Sequence, residues 1–505
     1  MVKNQVKIGA ILSYIVIALN MISGILYTPF MIRRLGQSEY GIFSIVQSII
    51  AYLTVMDMGF GNAIIIYTTR YINQKDEKKL NKLHGMFFTI FCIIGAIATI
   101  IGLIIFFNAQ NLFGNSMTSD EVNKLKVMLM ILTFNLAITF PLSIFGNIIT
   151  AHEKFIINKT IQIIQIILQP LIMIPLLLLG YKAIAMTIVL TLVNVFCLSL
   201  NTYICIKHLH VKLKFNGFDK ILLKEIFAYS FYIFLNELID KANWTVDRFI
   251  LGSICGTIVT AIYSIAGQIN QLFMNFSIAI SGVMLPKITK MEDNKASNDE
   301  FTKIFIKTGR IQYIILALIL TGFIIFGQTF VNLWAGPGYE TAYKIACILM
   351  IPLIVPLIQN VGLSILQAKN LYKYRTIIFF FIAIINTISS IFLAKYYGGV
   401  GAAIGTSGAL ILGQIIILNI YYHVKVGINM IEFWKNILKM SIPMIIVFLI
   451  GIGINRIVPD KSIIVYGGKI LAYTLVYCAS VYLFAMNKYE KDLIRRPINK
   501  ILKRG

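Results

Sequence analysis

The run Asn236-Glu237-Leu238-Ile239-Asp240-Lys241-Ala242-Asn243-Trp244-Thr245-Val246-Asp247-Arg248 decides how the chain is read. It lies in one of the most apolar parts of the sequence, inside a stretch predicted helical over 225–251. On a single helix Asn236, Asp240, Asn243 and Asp247 recur at i, i+4, i+7 and i+11 and stack in one column, with Glu237, Lys241, Trp244 and Arg248 in a second column beside it. The rest of the surface, including Leu235, Leu238, Ile239, Phe249 and Ile250, is apolar. A charge at the centre of a membrane helix costs about 2.5–3.5 kcal/mol on insertion scales, so these five ionisable groups must face water, protein or one another. One reading is self-neutralisation, with Glu237 paired to Lys241 at i,i+4 and Asp247 beside Arg248. The other is a helix lining a hydrated cavity through which a polar cargo crosses, and the uncharged Asn236 and Asn243 on the same face favour it.

The surroundings of this stretch are those of a membrane protein. Of 505 residues, 58% are hydrophobic and only 13% charged, with a mean hydropathy of +0.82, whereas a soluble domain carries about 25% charged residues. A formal charge of +24 raises nucleic acid as a partner, but the basic residues fall mainly in short loops on one side, so no nucleic acid is expected. The six cysteines show no C-x-x-C spacing and imply neither a disulfide framework nor zinc. His84, His152, His208, His210 and His423 fall near the cytoplasmic ends of spans, where a solvated histidine is the ordinary expectation. No Walker sequence is present, which excludes P-loop ATP hydrolysis.

Spans need about 20 apolar residues each, and fourteen such runs occur, from 8–32 through 41–69, 225–251 and 258–286 to 463–486. The first follows Lys3 and Lys7 and is too long for a signal core of about 7–15 residues. With the N-terminus inside, 33 of the 45 basic residues fall on the cytoplasmic side, which places both termini in the cytoplasm. An internal repeat organises the spans. Tyr40-Gly41-Ile42-Phe43-Ser44-Ile45 recurs as Thr260-Ala261-Ile262-Tyr263-Ser264-Ile265, and Gly180-Tyr181-Lys182-Ala183-Ile184-Ala185 as Gly398-Gly399-Val400-Gly401-Ala402-Ala403. The fold expected is therefore an all-α integral membrane protein with 14 transmembrane helices. Residues 1–206 form an N-terminal lobe (helices 1–6), 207–224 a basic cytoplasmic linker and 225–423 a C-terminal lobe (helices 7–12). Helices 13–14 over 424–486 and a basic tail over 487–505 follow.

Other spans add polar groups: Asp57 near the middle of the second, Gln162, Gln165 and Gln169 in the fifth, and Gln268, Gln271 and Asn275 in the eighth. For the glutamines, interhelical hydrogen bonding and cavity lining are equally open. Pro170, Pro175, Pro352 and Pro356 are bending points, and Gly401, Gly405, Ala409 and Gly413 a ridge of small residues for close helix packing.

Three short motifs resemble one family. Ile32-Arg33-Arg34-Leu35-Gly36-Gln37-Ser38-Glu39-Tyr40-Gly41, Asp57-Met58-Gly59-Phe60-Gly61 and Asp247-Arg248-Phe249-Ile250-Leu251-Gly252 look like the O-antigen flippase or polysaccharide-export family of the multidrug/oligosaccharidyl-lipid/polysaccharide exporter superfamily. The resemblance implies a non-enzymatic, alternating-access flippase of the bacterial cytoplasmic membrane that moves an undecaprenyl-diphosphate-linked oligosaccharide to the outer leaflet. On that expectation Lys241 and Arg248, with Arg34 at the outer mouth, attract the diphosphate, because guanidinium and ammonium groups match phosphate oxygens; an interfacial anchor on lipid phosphate is the other reading of Arg33 and Arg34. Asn236, Asn243, Trp244, Gln268 and Gln271 line the rest of the substrate site. Asp57, Glu237, Asp240 and Asp247 are candidates for binding a coupling proton or sodium ion, and no other cofactor or metal is expected. Membrane lipids, and a polysaccharide polymerase or glycosyltransferase, are the partners expected. A cation-coupled drug or metabolite antiporter is the nearest alternative. A membrane glycosyltransferase or polymerase is disfavoured by short outer loops whose acids are Glu39, Asp120, Glu121, Glu340 and Asp460.

Overall fold

Long apolar runs punctuated by glycine and proline, rather than by polar linkers, give long helices joined by tight turns. A computed structural model describes residues 2–215, 220–281, 284–369, 371–460, 462–493 and 495, and these are all-α apart from their turns. The first seven helices are α1 (Val2–Leu35), α2 (Gln37–Thr54), α3 (Phe60–Asn73), α4 (Glu77–Phe113), α5 (Ser119–Ala151), α6 (Phe155–Leu178) and α7 (Ala183–Lys207). Then come α8 (Lys220–Trp244), α9 (Val246–Ile254), α10 (Thr257–Ser281), α11 (Leu285–Asp293), α12 (Asn298–Trp334), α13 (Glu340–Ile358) and α14 (Val361–Ala368). The last are α15 (Tyr372–Leu410), α16 (Leu418–Tyr421), α17 (Met430–Ile457) and α18 (Ile463–Ser480).

Eleven of the described helical stretches are long and apolar enough to cross a membrane, and the chain is an integral membrane protein. One of them, Lys373–Val426, has 54 residues. A straight helix of that length would reach about 80 Å, against a hydrocarbon core of about 30 Å. It turns instead at Gly398, whose φ of 58° and ψ of −136° no helix contains. The charge-bearing α8 is not among the eleven.

Contacts divide the chain differently from the internal repeat. One unit comprises 1–264 with 390–402, the other 265–389 with 403–505. In the first unit the core is built around Phe60, which meets Phe87, Phe91 and Phe227 edge-on with ring centroids 6.5, 6.4 and 5.0 Å apart. In the second, Tyr466, Tyr473 and Tyr477 of α18 pack with Phe326 of α12 and with Met440 and Met444 of α17.

Two local expectations are corrected and two gain detail. The stretch 225–251 is not one helix: α8 ends at Trp244, Thr245 adopts φ −126° and ψ −27°, and α9 begins at Val246. The span expected over 41–69 is present within Gln37–Asn73, with its helix interrupted at 55–59. His84 is not solvated; it is 1% exposed, with Thr68 Oγ1 3.3 Å from its Nε2. Finally, the part of the basic linker described, 208–215, packs back on the first unit. Lys214 N–H donates to the Asn81 carbonyl at 3.0 Å and Phe215 meets Phe88 edge-on at 6.2 Å. Linker residues 216–219 and tail residues 496–505 lie outside the described residues.

Candidate functional site

The Asp57-Met58-Gly59-Phe60-Gly61 motif makes the first helix break. After α2 a single 3-10 turn over Val55–Asp57 leads into Met58 (φ 51°) and Gly59 (φ 70°), both left-handed, and α3 restarts at Phe60. Glycine is required at 59 twice over. Its φ is costly for a side chain, and a Cβ there would lie 2.5 Å from Ile233 of α8. At Gly61 a Cβ would sit 3.1 Å from Asn147 Nδ2 and 3.6 Å from Asp57 Oδ2. The backbone at the motif thus folds closely around the Asp57 carboxylate, which lies at the positive end of α3.

The second break, at Thr245, faces the same neighbourhood. Tyr52 near the end of α2 donates its hydroxyl to the Lys241 carbonyl at 3.1 Å, joining the two interrupted helices one turn from each break. Glu237 and Lys241 are half-buried and Asp240 is exposed. Asp57 lies within electrostatic reach of Glu237 across this junction. Among the described residues no ion pair within 4.0 Å joins Glu237 to Lys241. Asp247 is 2% exposed and accepts a hydrogen bond from the Tyr263 hydroxyl of α10. Charges also complement helix ends, with Lys241 in the last turn of α8 and Asp247 in the first turn of α9. Asn236, Asn243, Trp244 and Arg248 are half-buried on these two helices.

A third cluster in this unit was not foreseen. Lys124 of α5 bridges Glu39 at 2.9 Å and Asp120 at 2.8 Å, and Glu39, 6% exposed, also accepts from the Ala183 N–H. Ser38 and Thr257 both donate to Glu121 Oε1, at 2.5 and 2.8 Å, while Glu121 completes a capping box with Thr118. Gly41 explains its place in the repeated motif here, since a Cβ would fall 2.0 Å from the Thr257 carbonyl oxygen. The only sequence signal was that Glu39, Asp120 and Glu121 are scarce acids in short loops.

Arg34 is exposed on α1, its guanidinium 5.8 Å from the Phe30 ring centroid. In the second unit Gln268 is half-buried, and Gln271 is exposed and donates to Asn275 at 3.1 Å along its own helix. That unit buries polar groups the sequence reading passed over. Gln312 donates to Ser277 Oγ at 3.1 Å, Ser277 to the Leu357 carbonyl at 2.7 Å, and Asn360 to Ser281 at 2.9 Å. They surround the interruption between α13 and α14, which Pro352 and Pro356 foreshadow. Among the described residues no group of three or more His, Cys, Asp and Glu is placed to hold a metal ion.

Residues 6–292 match a family model described as polysaccharide biosynthesis protein. A "Putative O-antigen transporter" of Shigella flexneri is 21% identical over 398 residues, covering 78% of this chain and 92% of that one. Among solved structures, the lipid II flippase MurJ in an inward closed conformation superposes with a TM-score of 0.75 at 18% identity, covering 96% of this chain and 99% of that one. The MATE multidrug transporter DinF-BH superposes less closely, with a TM-score of 0.58 at 13% identity over 84% of this chain and 96% of that one. Both structures share this fold.

Proposed function

Because the chain belongs to the polysaccharide biosynthesis protein family, we propose that it is an alternating-access flippase carrying an undecaprenyl-diphosphate-linked oligosaccharide across the bacterial cytoplasmic membrane. The observation that carries this reading is the pair of helix breaks, at 55–59 and at Thr245, that bring Asp57, Glu237 and Lys241 together in an apolar helical unit. Interrupted backbone and ionisable side chains at membrane depth are tolerated where they are enclosed by protein or line an aqueous path, and broken helices are a recurrent way of building a transport site. Lys241 and Arg248, with Arg34 toward the outer mouth, attract the diphosphate. Asn236, Asn243 and Trp244 contact the glycan, and Gln268 and Gln271 extend the polar lining within the second unit. The polyprenyl tail stays in the bilayer. Asp57, Glu237, Asp240 and Asp247 bind the coupling proton or sodium ion.

The topology proposed with it is fourteen crossings with both termini inside, in lobes 1–206 and 225–423 joined by the linker 207–224, followed by helices 13–14. Counting α8 with α9, α10, and each arm of Lys373–Val426 as crossings supports that number. A cation-coupled antiporter is the second reading, favoured by three carboxylates against two cations in 236–248.

The test is flipping in proteoliposomes, read as enzymatic access to the glycan of a lipid-linked oligosaccharide. Loss of one charge-assisted phosphate contact, about 1.5–3 kcal/mol, lowers the rate of Lys241→Ala about 10- to 100-fold. Wild-type rates in both Lys241→Ala and Arg248→Ala at equal protein levels would remove these residues from the site. Drug efflux without glycolipid flipping would transfer the protein to the second reading. A rate indifferent to both proton and sodium gradients would dismiss the ion-coupling assignment.

A further inference from the structure

α17 has two faces of opposite character. Phe433, Ile437, Met440 and Met444 are buried, with Phe433 edge-on to Phe305 at 5.0 Å, which turns Ile431, Lys435, Leu438, Lys439, Ile442 and Ile445 outward. That outward face, together with α16 and the π-helical turn Tyr422–Val426 that follows it, encloses an open trough of about 1040 Å³. Lys435 and Lys439 stand in its first turns, His423 opposite them, and Leu438, Ile442 and Ile445 continue along the helix into the spanning segment Met430–Ile457. Both lysines are exposed, and among the described residues neither has a carboxylate within 4.0 Å. The indole N–H of Trp434, also in the wall, donates to Asn419 Oδ1 at 2.9 Å, which pins the ring at the level of the lysines.

The cations sit where a helix enters the membrane and the apolar lining begins below them. Helical side chains lean toward the helix N-terminus, so both ammonium groups are carried toward the headgroup layer while their stems cover the trough. We propose that this trough binds an anionic glycerophospholipid of the surrounding bilayer, with its phosphate against Lys435, Lys439 and His423 and an acyl chain along Leu438, Ile442 and Ile445. An apolar groove alone would accept any lipid. The two lysines select for negative charge, each contributing about a fivefold preference.

The experiment uses the full chain in phosphatidylcholine nanodiscs containing acyl-brominated phosphatidylglycerol or acyl-brominated phosphatidylcholine. The readout is quenching of the Trp434 emission, isolated by subtracting the Trp434→Phe variant from the three-tryptophan protein. Brominated phosphatidylglycerol is expected to quench at a mole fraction at least about fivefold lower than brominated phosphatidylcholine. Lys435→Gln/Lys439→Gln abolishes the difference, and Lys435→Arg/Lys439→Arg retains it. Equal quenching by the two lipids, or a preference that survives in the glutamine variant, overturns the proposal. So does displacement of the brominated phosphatidylglycerol by polyprenyl phosphate more readily than by unlabelled phosphatidylglycerol, which would give the trough to the carrier lipid. No transport is measured, so the outcome is independent of the flippase reading.

Discussion

Gly59 and Gly453 are both glycines in helical surroundings, yet they carry opposite expectations. Gly59 has φ 70° and Ile233 Cγ2 2.5 Å from where its Cβ would be, whereas a Cβ at Gly453 of α17 would meet nothing within 4 Å. Gly59→Ala should therefore lose about 1–3 kcal/mol for the backbone alone, while Gly453→Ala gains up to about 1 kcal/mol of helix propensity. Thermal unfolding in detergent checks the pair, with lower and equal-or-higher midpoints expected respectively. Arg310 makes the second residue-scale case. A cation of α12, it is 7% exposed and held by Glu490, with Nε 2.6 Å from Oε1 and Nη2 2.9 Å from Oε2, and Nη2 donates to the Ala485 carbonyl at 3.0 Å. Removing one partner leaves a buried charge, so Arg310→Ala and Glu490→Ala should each cost about 3–5 kcal/mol. The double variant should cost clearly less than their sum. Strict additivity of the unfolding shifts would show that the two do not act as a pair.

At the scale of elements, the turn between α17 and α18 is tied by Asp460. Its carboxylate pairs with Lys469, which also donates to Asn455 at 2.7 Å and to the Val458 carbonyl at 3.0 Å, and it accepts from Thr329 of α12 at 2.7 Å. Burial pushes the Asp460 carboxyl up, but the hydrogen bonds from Lys469 and Thr329 and the Lys469 charge outweigh it and hold the group below the usual aspartate range. A folded-state pKa below the unfolded one stabilises at pH above the ordinary aspartate value of about 3.9, and that contribution disappears as pH falls through the folded value. Wild type should therefore melt above Asp460→Asn at pH 7, with the gap closing below about pH 4. A gap independent of pH would mean the carboxylate's charge is not what ties the turn. The same scale explains the motif around Asp57. Gly59 is demanded by its approach to Ile233 of α8, so the residue pattern was visible but the partner that makes this glycine necessary was not.

Across the whole molecule, the proposed topology places most basic residues on one side of the membrane, as the positive-inside rule expects. In a cysteine-free background a membrane-impermeant maleimide applied to spheroplasts should label Asn115→Cys, in the exposed turn before α5, and spare Lys78→Cys at the start of α4. The reverse pattern would invert the topology. Length sets the other large-scale feature, because 54 residues cannot stay straight in a core of about 30 Å and the turn falls at Gly398, the residue able to adopt its angles.

The sequence by itself determined that this is a helical membrane protein, which family it resembles and where unusual polar groups lie along it. Those properties depend on local composition and spacing. Tertiary structure decided that the 225–251 stretch breaks at Thr245, that Asp247 answers to Tyr263 and that His84 is buried. It also decided that Arg310 pairs with a residue 180 positions away. A helical periodicity tells which side chains share a face, but whether a charge on that face meets water, a hydroxyl or an opposite charge depends on which distant helix packs against it.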